Sequence, residues 1–239
     1  MDETAINDES GTGSPKLAAS TPAVPPKQMS DDEVRANTFV ILMSAYETTA
    51  TTLTIAMYEL ALQLRLQERL YAELKAAMNA DGEIDYDKLQ SLTYLDQVVS
   101  ETLRLHPPGI RATRLATQDY KLGDTGITIR KGQQVDIPTY AIHHSPENYP
   151  DPYRYDPDRF SPANRGKIKP YTYAPFGSGP RHCIGMRFAL LEIKLSLAHI
   201  ITRYKLYRLP ETDVPLQYRR KYRLTFPKRV IIGIEFREK

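Results

Sequence analysis

Nine prolines lie between Pro138 and Pro180, and they constrain the fold of this chain more than any other feature. Proline fixes φ and has no backbone N–H, so it interrupts helix interiors and central strands. We therefore expect this stretch to form an ordered, irregular meander without a long helix. Long regular elements must come from the segments on either side of it.

The segments before the meander have the apolar spacing of helices. Residues 30–33, SDDE, have the S-x-x-E form of a capping box, and they predict a helix over about residues 30–62. The same spacing predicts a second helix over residues 66–78 and a third over residues 93–106, which two consecutive prolines stop. The apolar face predicted for the first helix consists of Phe39, Met43, Tyr46, Ala50, Leu53, Met57 and Leu60.

Short β-prone runs form a smaller part of the pattern. Residues 120–143 alternate such runs with glycine turns, as a small sheet does. After the meander a helical period returns over residues 186–201, and the runs YRLTF and RVIIGIEF then predict a terminal hairpin. The predicted fold class is mainly α with a minor β part (α+β).

The domain organisation follows from composition. Residues 1–29 are rich in Ser, Thr, Pro, Gly and Asp without a hydrophobic period, so we expect a disordered tail or linker, and residues 30–239 form one domain. Nothing at the N-terminus resembles a signal peptide or membrane anchor. Residues 39–64 are the best candidate for a membrane span. Glu47 and Glu59 interrupt them, so a buried helix is expected instead.

Charge and cysteine content restrict the function classes. The net charge of +3 is too small to indicate nucleic-acid binding by itself. Residues 161–205 nevertheless hold eight basic residues and one acid, Glu192, so this stretch either attracts an acidic partner or forms a solvated surface. A single cysteine, Cys183, excludes an internal disulfide framework and a multi-cysteine zinc site, and it fits a reducing compartment.

That cysteine lies in FGSGPRHCIGMRFA, directly before a predicted helix. Unpaired N–H groups at a helix N-terminus favour a thiolate, and Arg181 adds a positive charge two residues away. Gly185 leaves space for a flat group. The residues alone leave three roles open: an axial haem ligand, a nucleophile with His182 as the base, and a buried structural cysteine.

Two polar pairs lie within predicted helices. Glu101 and Arg104 are three residues apart, so they share a helix face, although such pairs are common on exposed helices. Glu47 and Thr48 are poor choices for a helix interior and costly to bury. Their polarity suggests a function, but a threonine hydroxyl also commonly bonds to the carbonyl four residues before it.

These motifs together resemble the cytochrome P450 superfamily. The haem-binding loop of that family, F-x-x-G-x-R-x-C-x-G, is complete over residues 176–185. Residues 101–104 (ETLR), 157–160 (PDRF) and 44–49 (SAYETT) resemble three further family motifs, with Ala45 where glycine is typical. Stretches such as ETLRLHPP are similar to the animal branch that holds the steroid- and drug-metabolising family 3 and thromboxane synthase. The resemblance covers the C-terminal half of the family fold.

The resemblance implies a role for each matching residue. Cys183 is the axial ligand of the iron of haem b (iron protoporphyrin IX). The residues that the resemblance places around the haem are Arg181, Arg114, Phe176, Gly177, Gly185 and Ala45, with Arg111 as a competitor of Arg114 for a propionate.

The other motifs acquire roles in the same way. Thr48 hydrogen-bonds dioxygen and Glu47 supplies protons. Glu101, Arg104 and Arg159 form a structural bridge that fixes the meander beneath the haem.

The implied activity is a haem-thiolate monooxygenase that inserts one oxygen atom of O2 into a hydrophobic small molecule such as a steroid, lipid or xenobiotic. NADPH–cytochrome P450 reductase, with cytochrome b5 as a second candidate, supplies the electrons. A full-length member is expected on the cytosolic face of the endoplasmic reticulum membrane, and this chain lacks the anchor. Two alternatives stay open: a haem-thiolate isomerase resembling thromboxane synthase, and a truncated non-catalytic haem-binding fragment.

Overall fold

The structure is a computed structural model that describes residues 28–219 and 224–238. The tail predicted over residues 1–29 therefore lies outside the described residues, apart from its last two. The chain divides into two compact units, Met1–Phe39 and Val40–Lys239. In the first unit, the N–H of Ser30 donates to Glu33 Oε2 (2.9 Å) and the N–H of Glu33 donates to Ser30 Oγ (3.2 Å), which confirms the predicted capping box.

The described residues form a mainly helical fold with a minor β part, as predicted. The helices are α1 (Asp31–Leu62), α2 (Leu64–Ala77), α3 (Tyr86–Ser91), α4 (Thr93–Leu105), α5 (Thr139–His143), α6 (Pro162–Arg165) and α7 (Met186–Arg203). The strands are β1 (Ala112–Leu115), β2 (Tyr120–Lys121), β3 (Thr128–Ile129), β4 (Gln134–Ile137), β5 (Tyr204–Tyr207) and β6 (Gly233–Phe236). The proline-rich meander contains only short helices, including a 3-10 turn at Pro157–Phe160.

The core of the second unit surrounds α4. This helix is buried on all its faces from Tyr94 to Leu105 except at Asp96. α2, α7 and the end of α1 contribute the other side chains, so the apolar faces predicted for α2 and α7 are confirmed. The fully buried members include Leu60, Leu70, Leu74, Leu95, Val98, Val99, Ile193, Leu197 and Ile201.

The burial predicted for α1 is wrong in its first half. Phe39 and Tyr46, placed on the apolar face, are 66% and 73% exposed, and burial begins at Thr49. Apolar spacing identifies one face of a helix, but it does not say how much of that face another element covers. By length and composition alone, α1 is also apolar enough to cross a membrane, a test that core helices of soluble proteins pass too.

The strand pairing also differs from the prediction. The strands form three antiparallel pairs, β1–β4, β2–β3 and β5–β6, instead of one sheet over residues 120–143 and a hairpin between YRLTF and RVIIGIEF. β6, within RVIIGIEF, pairs with β5, which directly follows α7. Alternating sequence predicts a strand and its faces but not its partner.

A shorter hairpin does form before β6. Arg219 N–H donates to the Phe226 carbonyl (2.9 Å), and Lys228 N–H donates to the Gln217 carbonyl (2.7 Å). We call residues 217–228 the C-terminal hairpin, whose tip at residues 220–223 lies outside the described part of the chain.

Candidate functional site

The lone cysteine lies in a closed turn before α7. We call residues 176–185 the cysteine loop. Its ends meet because the N–H of Cys183 donates to the Phe176 carbonyl (2.8 Å). Gly177 and Gly179 have φ of 74° and 76°, in the left-handed region that glycine adopts without a steric penalty. Cys183 is exposed, and α7 begins three residues after it.

The cysteine loop forms one wall of a cavity of about 310 Å³, here called the first cavity. α1 and the segment around β1 form other walls. Of the predicted site residues, the structure brings six together here: Thr48, Arg114, Phe176, Gly177, Arg181 and Cys183. Leu103, Pro108, Ala112, Pro175, Ala189 and Ile193 add apolar surface.

Three predicted residues lie elsewhere. Glu47 lines a second cavity of about 610 Å³, together with apolar residues of the C-terminal hairpin. Neighbouring residues on a helix point about 100° apart, so Glu47 and Thr48 face different cavities. Ala45 is exposed and lines neither cavity. Gly185 lies beside the first cavity, where an added Cβ would be 4.0 Å from Cys183 Sγ and near no other described atom.

The first cavity is lined by positive charge. Arg111, Arg114 and Arg181 contribute guanidinium groups, and no carboxylate is among the described lining residues. Arg111 is 3.2 Å from an Asp136 oxygen, whereas Arg114 donates to the carbonyl of its neighbour Thr113 (3.0 Å). Both candidates for the propionate role therefore line the cavity. The arrangement favours an anionic ligand.

The threonines of α1 differ in their hydrogen bonds. Thr48 Oγ1 donates to the Ser44 carbonyl (2.6 Å), one turn earlier, so the ordinary helical back-bond is present. Its oxygen keeps lone pairs that can accept a bond from a ligand. Thr49 also lines the first cavity, and its buried Oγ1 has no partner among the described residues. Sequence reasoning missed Thr49, for which the only signal was the threonine doublet.

The predicted bridge is a fully buried ion pair with a third charge beside it. Arg104 donates to both oxygens of Glu101, from Nε (2.7 Å) and Nη2 (2.8 Å), and both side chains are 0% exposed. Arg159 Nε lies 3.4 Å from Glu101 Oε1. Burial raises the pKa of Glu101, and the bonds from Arg104 oppose that rise.

The same arginines hold the meander. Arg104 Nη1 donates to the carbonyls of His143 and Pro152 (both 2.9 Å). Arg159 donates to the carbonyls of Pro150 (2.6 Å) and Asp151 (2.7 Å). Charged donors satisfy backbone groups that a proline-rich segment cannot pair internally.

The predicted basic stretch is partly neutralised within the chain. Arg165 and Lys194 both pair with Asp96 of α4 (3.3 Å and 2.9 Å), and Lys194 is only 6% exposed. Arg203 and Lys205 pair with Glu83 and Glu235. Counting charges along residues 161–205 overlooked these acids, because they come from other elements. The expectation that Lys194 belongs to an exposed docking surface is wrong.

Comparison with known proteins shows the family of this chain. The Cytochrome P450 family model matches residues 16–232. Cytochrome P450 3A2 of Rattus norvegicus is 40% identical over 208 residues, which are 87% of this chain and 41% of the relative. Cytochrome P450 9e2 of Blattella germanica is 40% identical, covering 87% of this chain and 39% of the relative.

A third relative, probable cytochrome P450 6a14 of Drosophila melanogaster, is 42% identical over 80% of this chain and 38% of its own length. The chain thus spans about two fifths of the length of these relatives. They confirm the resemblance, including the one to family 3. Both the matched family model and the identity over most of the chain show that it belongs to the cytochrome P450 family.

Proposed function

We propose that the first cavity holds a haem b whose iron is ligated by the Cys183 thiolate, and that the chain carries the catalytic centre of a monooxygenase. The observation that carries the proposal is the lining of this cavity: the only cysteine, three guanidinium groups and mainly apolar side chains. This donor set fits a flat group with a soft-ligand metal and two carboxylates.

The residues of the chain would hold that group from several sides. Arg114, Arg181 and Arg111 are the cations available to its propionates, and Phe176 packs beside the thiolate. The missing side chain at Gly185 keeps space next to Cys183 Sγ. Bound there, haem supplies the activation of dioxygen, one atom of which enters the substrate while the other leaves as water.

The hydroxyl groups of α1 suit proton transfer. Thr48 Oγ1 gives its proton to the Ser44 carbonyl and therefore accepts from a ligand, whereas Thr49 Oγ1 has a proton to donate. Glu47 and Thr51 line the second cavity on the other side of this helix segment. We infer that Glu47 delivers protons toward the threonines of the first cavity.

The second cavity fits the apolar part of a substrate. Leu224, Phe226 and Pro227 of the C-terminal hairpin line it with Tyr46 of α1. A hydrophobic small molecule such as a steroid, lipid or xenobiotic is the substrate class that this lining favours.

The proposed electron donor is NADPH–cytochrome P450 reductase, with cytochrome b5 as a second donor, on the cytosolic face of the endoplasmic reticulum. The exposed basic residues around the cysteine loop are the ones left for an acidic partner: Lys167, Lys169, Arg181 and Arg187. Complementary charge of this kind speeds association more than it strengthens it.

A difference spectrum tests the ligand. The purified chain is mixed with haem, reduced and exposed to carbon monoxide, and we expect the Soret band of thiolate ligation. Cys183→Ser, which replaces only the sulfur, loses that band, whereas the control His182→Ala keeps it because His182 bonds to the Gly179 carbonyl. A thiolate band that survives Cys183→Ser, or its absence from the wild type, overturns the proposal.

A further inference from the structure

A buried histidine outside the predicted site connects α4 with the cysteine loop. His143, the last residue of α5, is 0% exposed. Its Nε2 accepts the N–H of Ala174 (3.1 Å), and its Nδ1 lies 3.1 Å from the Arg104 carbonyl. An acceptor at Nε2 fixes the neutral tautomer with the proton on Nδ1. Burial lowers the pKa of His143 to about 4, so the ring is neutral at pH 7.

A continuous series of backbone bonds leads from Ala174 to the cysteine. The Ala174 carbonyl accepts the N–H of Gly177 (3.0 Å), and the Phe176 carbonyl accepts the N–H of Cys183 (2.8 Å). Ala174, Phe176, Gly177 and Cys183 all line the first cavity. The imidazole is thus the side chain that attaches this series to the helix of the buried ion pair.

We propose that His143 is a positioning residue, which sets the conformation of the cysteine loop by accepting the Ala174 N–H while it donates to the Arg104 carbonyl. Arg104 strengthens the attachment because it also donates to the carbonyl of His143 (2.9 Å). The loop conformation matters for haem ligation only if Cys183 is the ligand, so this consequence rests on the proposed function. The positioning itself does not.

A second anchor acts beside the first and must be separated from it. Tyr173 Oη donates to the Ser100 carbonyl (3.2 Å), and its ring stacks on His143 with centroids 5.7 Å apart. Tyr173→Phe removes the hydroxyl bond but keeps the stacking. It therefore reports how much of the loop order depends on this anchor alone.

Amide hydrogen exchange of the haem-free chain tests the proposal. A glutamine places its amide where Nε2 lies, whereas an asparagine reaches only the position of Nδ1. We therefore expect His143→Asn to speed exchange at Ala174, Gly177 and Cys183 at least tenfold, and His143→Gln to stay within threefold of wild type. His144→Asn is the matched control, because Nδ1 of His144 bonds to the Tyr140 carbonyl within its own helix.

The rate at which iodoacetamide alkylates the only thiol gives an independent readout of the same loop. It should change more than threefold in His143→Asn and less than threefold in His143→Gln. Faster exchange at Ala174 with unchanged exchange and alkylation at Cys183 would show a local bond without positioning, and would overturn the proposal. So would equal effects of the asparagine and glutamine variants.

If His143→Asn does not fold, the wild type decides. Under native conditions with low denaturant, the amides of Ala174, Gly177 and Cys183 should open with one common free energy. A Cys183 amide that opens independently of Ala174 contradicts the proposal. None of these measurements needs haem, so a failure here is distinct from a failure of the ligand test.

Discussion

At the residue scale, the buried pair of Glu101 and Arg104 carries the largest local risk. Each charge has lost its water, and the pair is sustained by two direct bonds and by backbone partners from the meander. The mutual attraction of buried ions roughly offsets the cost of desolvation, so the pair itself adds little net stability. Removing one partner is different, because the other charge remains buried and uncompensated.

We therefore expect Arg104→Met to lower the free energy of unfolding by about 3–5 kcal/mol in urea titrations. The surface arginine Arg165, which is 67% exposed and 3.3 Å from Asp96, is the control. Arg165→Met should cost less than about 1 kcal/mol. Similar losses in the two variants would contradict the argument from burial.

The buried ring of His143 makes stability depend on pH. Burial, aided by the nearby charges of Arg104 and His144, lowers its pKa from 6.5 to about 4 in the folded chain. Between pH 6.5 and 4 the unfolded chain binds the proton and the folded chain does not. The free energy of unfolding therefore falls as pH falls through this window, by about 3 kcal/mol in total.

Urea titrations from pH 7 to pH 4 check this dependence. His143→Gln should flatten the acid loss by that amount relative to wild type, whereas replacement of the exposed His182 by glutamine should leave the slope as it is. An unchanged slope in His143→Gln would assign the acid loss to other groups.

At the element scale, α4 begins without a cap of its own. Its N-cap residue is Leu92, which has no side-chain acceptor. Glu73 of α2 supplies one instead: Oε1 accepts the N–H of Tyr94 (2.7 Å) and Oε2 accepts the N–H of Leu95 (2.8 Å). A carboxylate at this place also interacts favourably with the positive end of the helix dipole.

Glu73→Ala should consequently lower the free energy of unfolding by about 1–2 kcal/mol, the usual cost of a lost cap. Glu192→Ala on exposed α7 surface is the comparison and should change it by less than about 0.5 kcal/mol. Thermal unfolding of both variants measures the difference. Equal midpoints would mean that water replaces the cap.

The elements also show what the sequence could predict. Helix positions followed from spacing, because the 3.6-residue period is local. The partners of β4 and β6 did not, since pairing depends on which edge the fold brings near. The cysteine loop was predictable as a contiguous motif. Thr49 and His143 were not, because each acquires its place in the site through tertiary packing.

At the scale of the second unit, one buried polar series joins α1 with the C-terminal hairpin. Glu59 Oε1 lies 2.8 Å from His106 Nε2, and His106 Nδ1 contacts the hydroxyl of Tyr218. Burial raises the pKa of Tyr218, with the Glu59 charge adding to the rise, so its hydroxyl stays protonated and donates to Nδ1. Nε2–H of His106 then donates to Glu59. The hairpin that lines the second cavity is held to α1 by this series.

Tyr218→Phe should lower the free energy of unfolding by about 1–3 kcal/mol, because it leaves His106 Nδ1 without a donor in a half-buried place. It should also speed amide exchange at Arg219 and Lys228, whose N–H groups pair across the hairpin. Tyr153→Phe, at a side chain 71% exposed, is the control and should change neither quantity. The two readouts separate two roles, since lost stability with unchanged exchange in the hairpin would confine the series to the junction of α1 and α4. Faster exchange without lost stability would instead make the series a local latch on the second cavity.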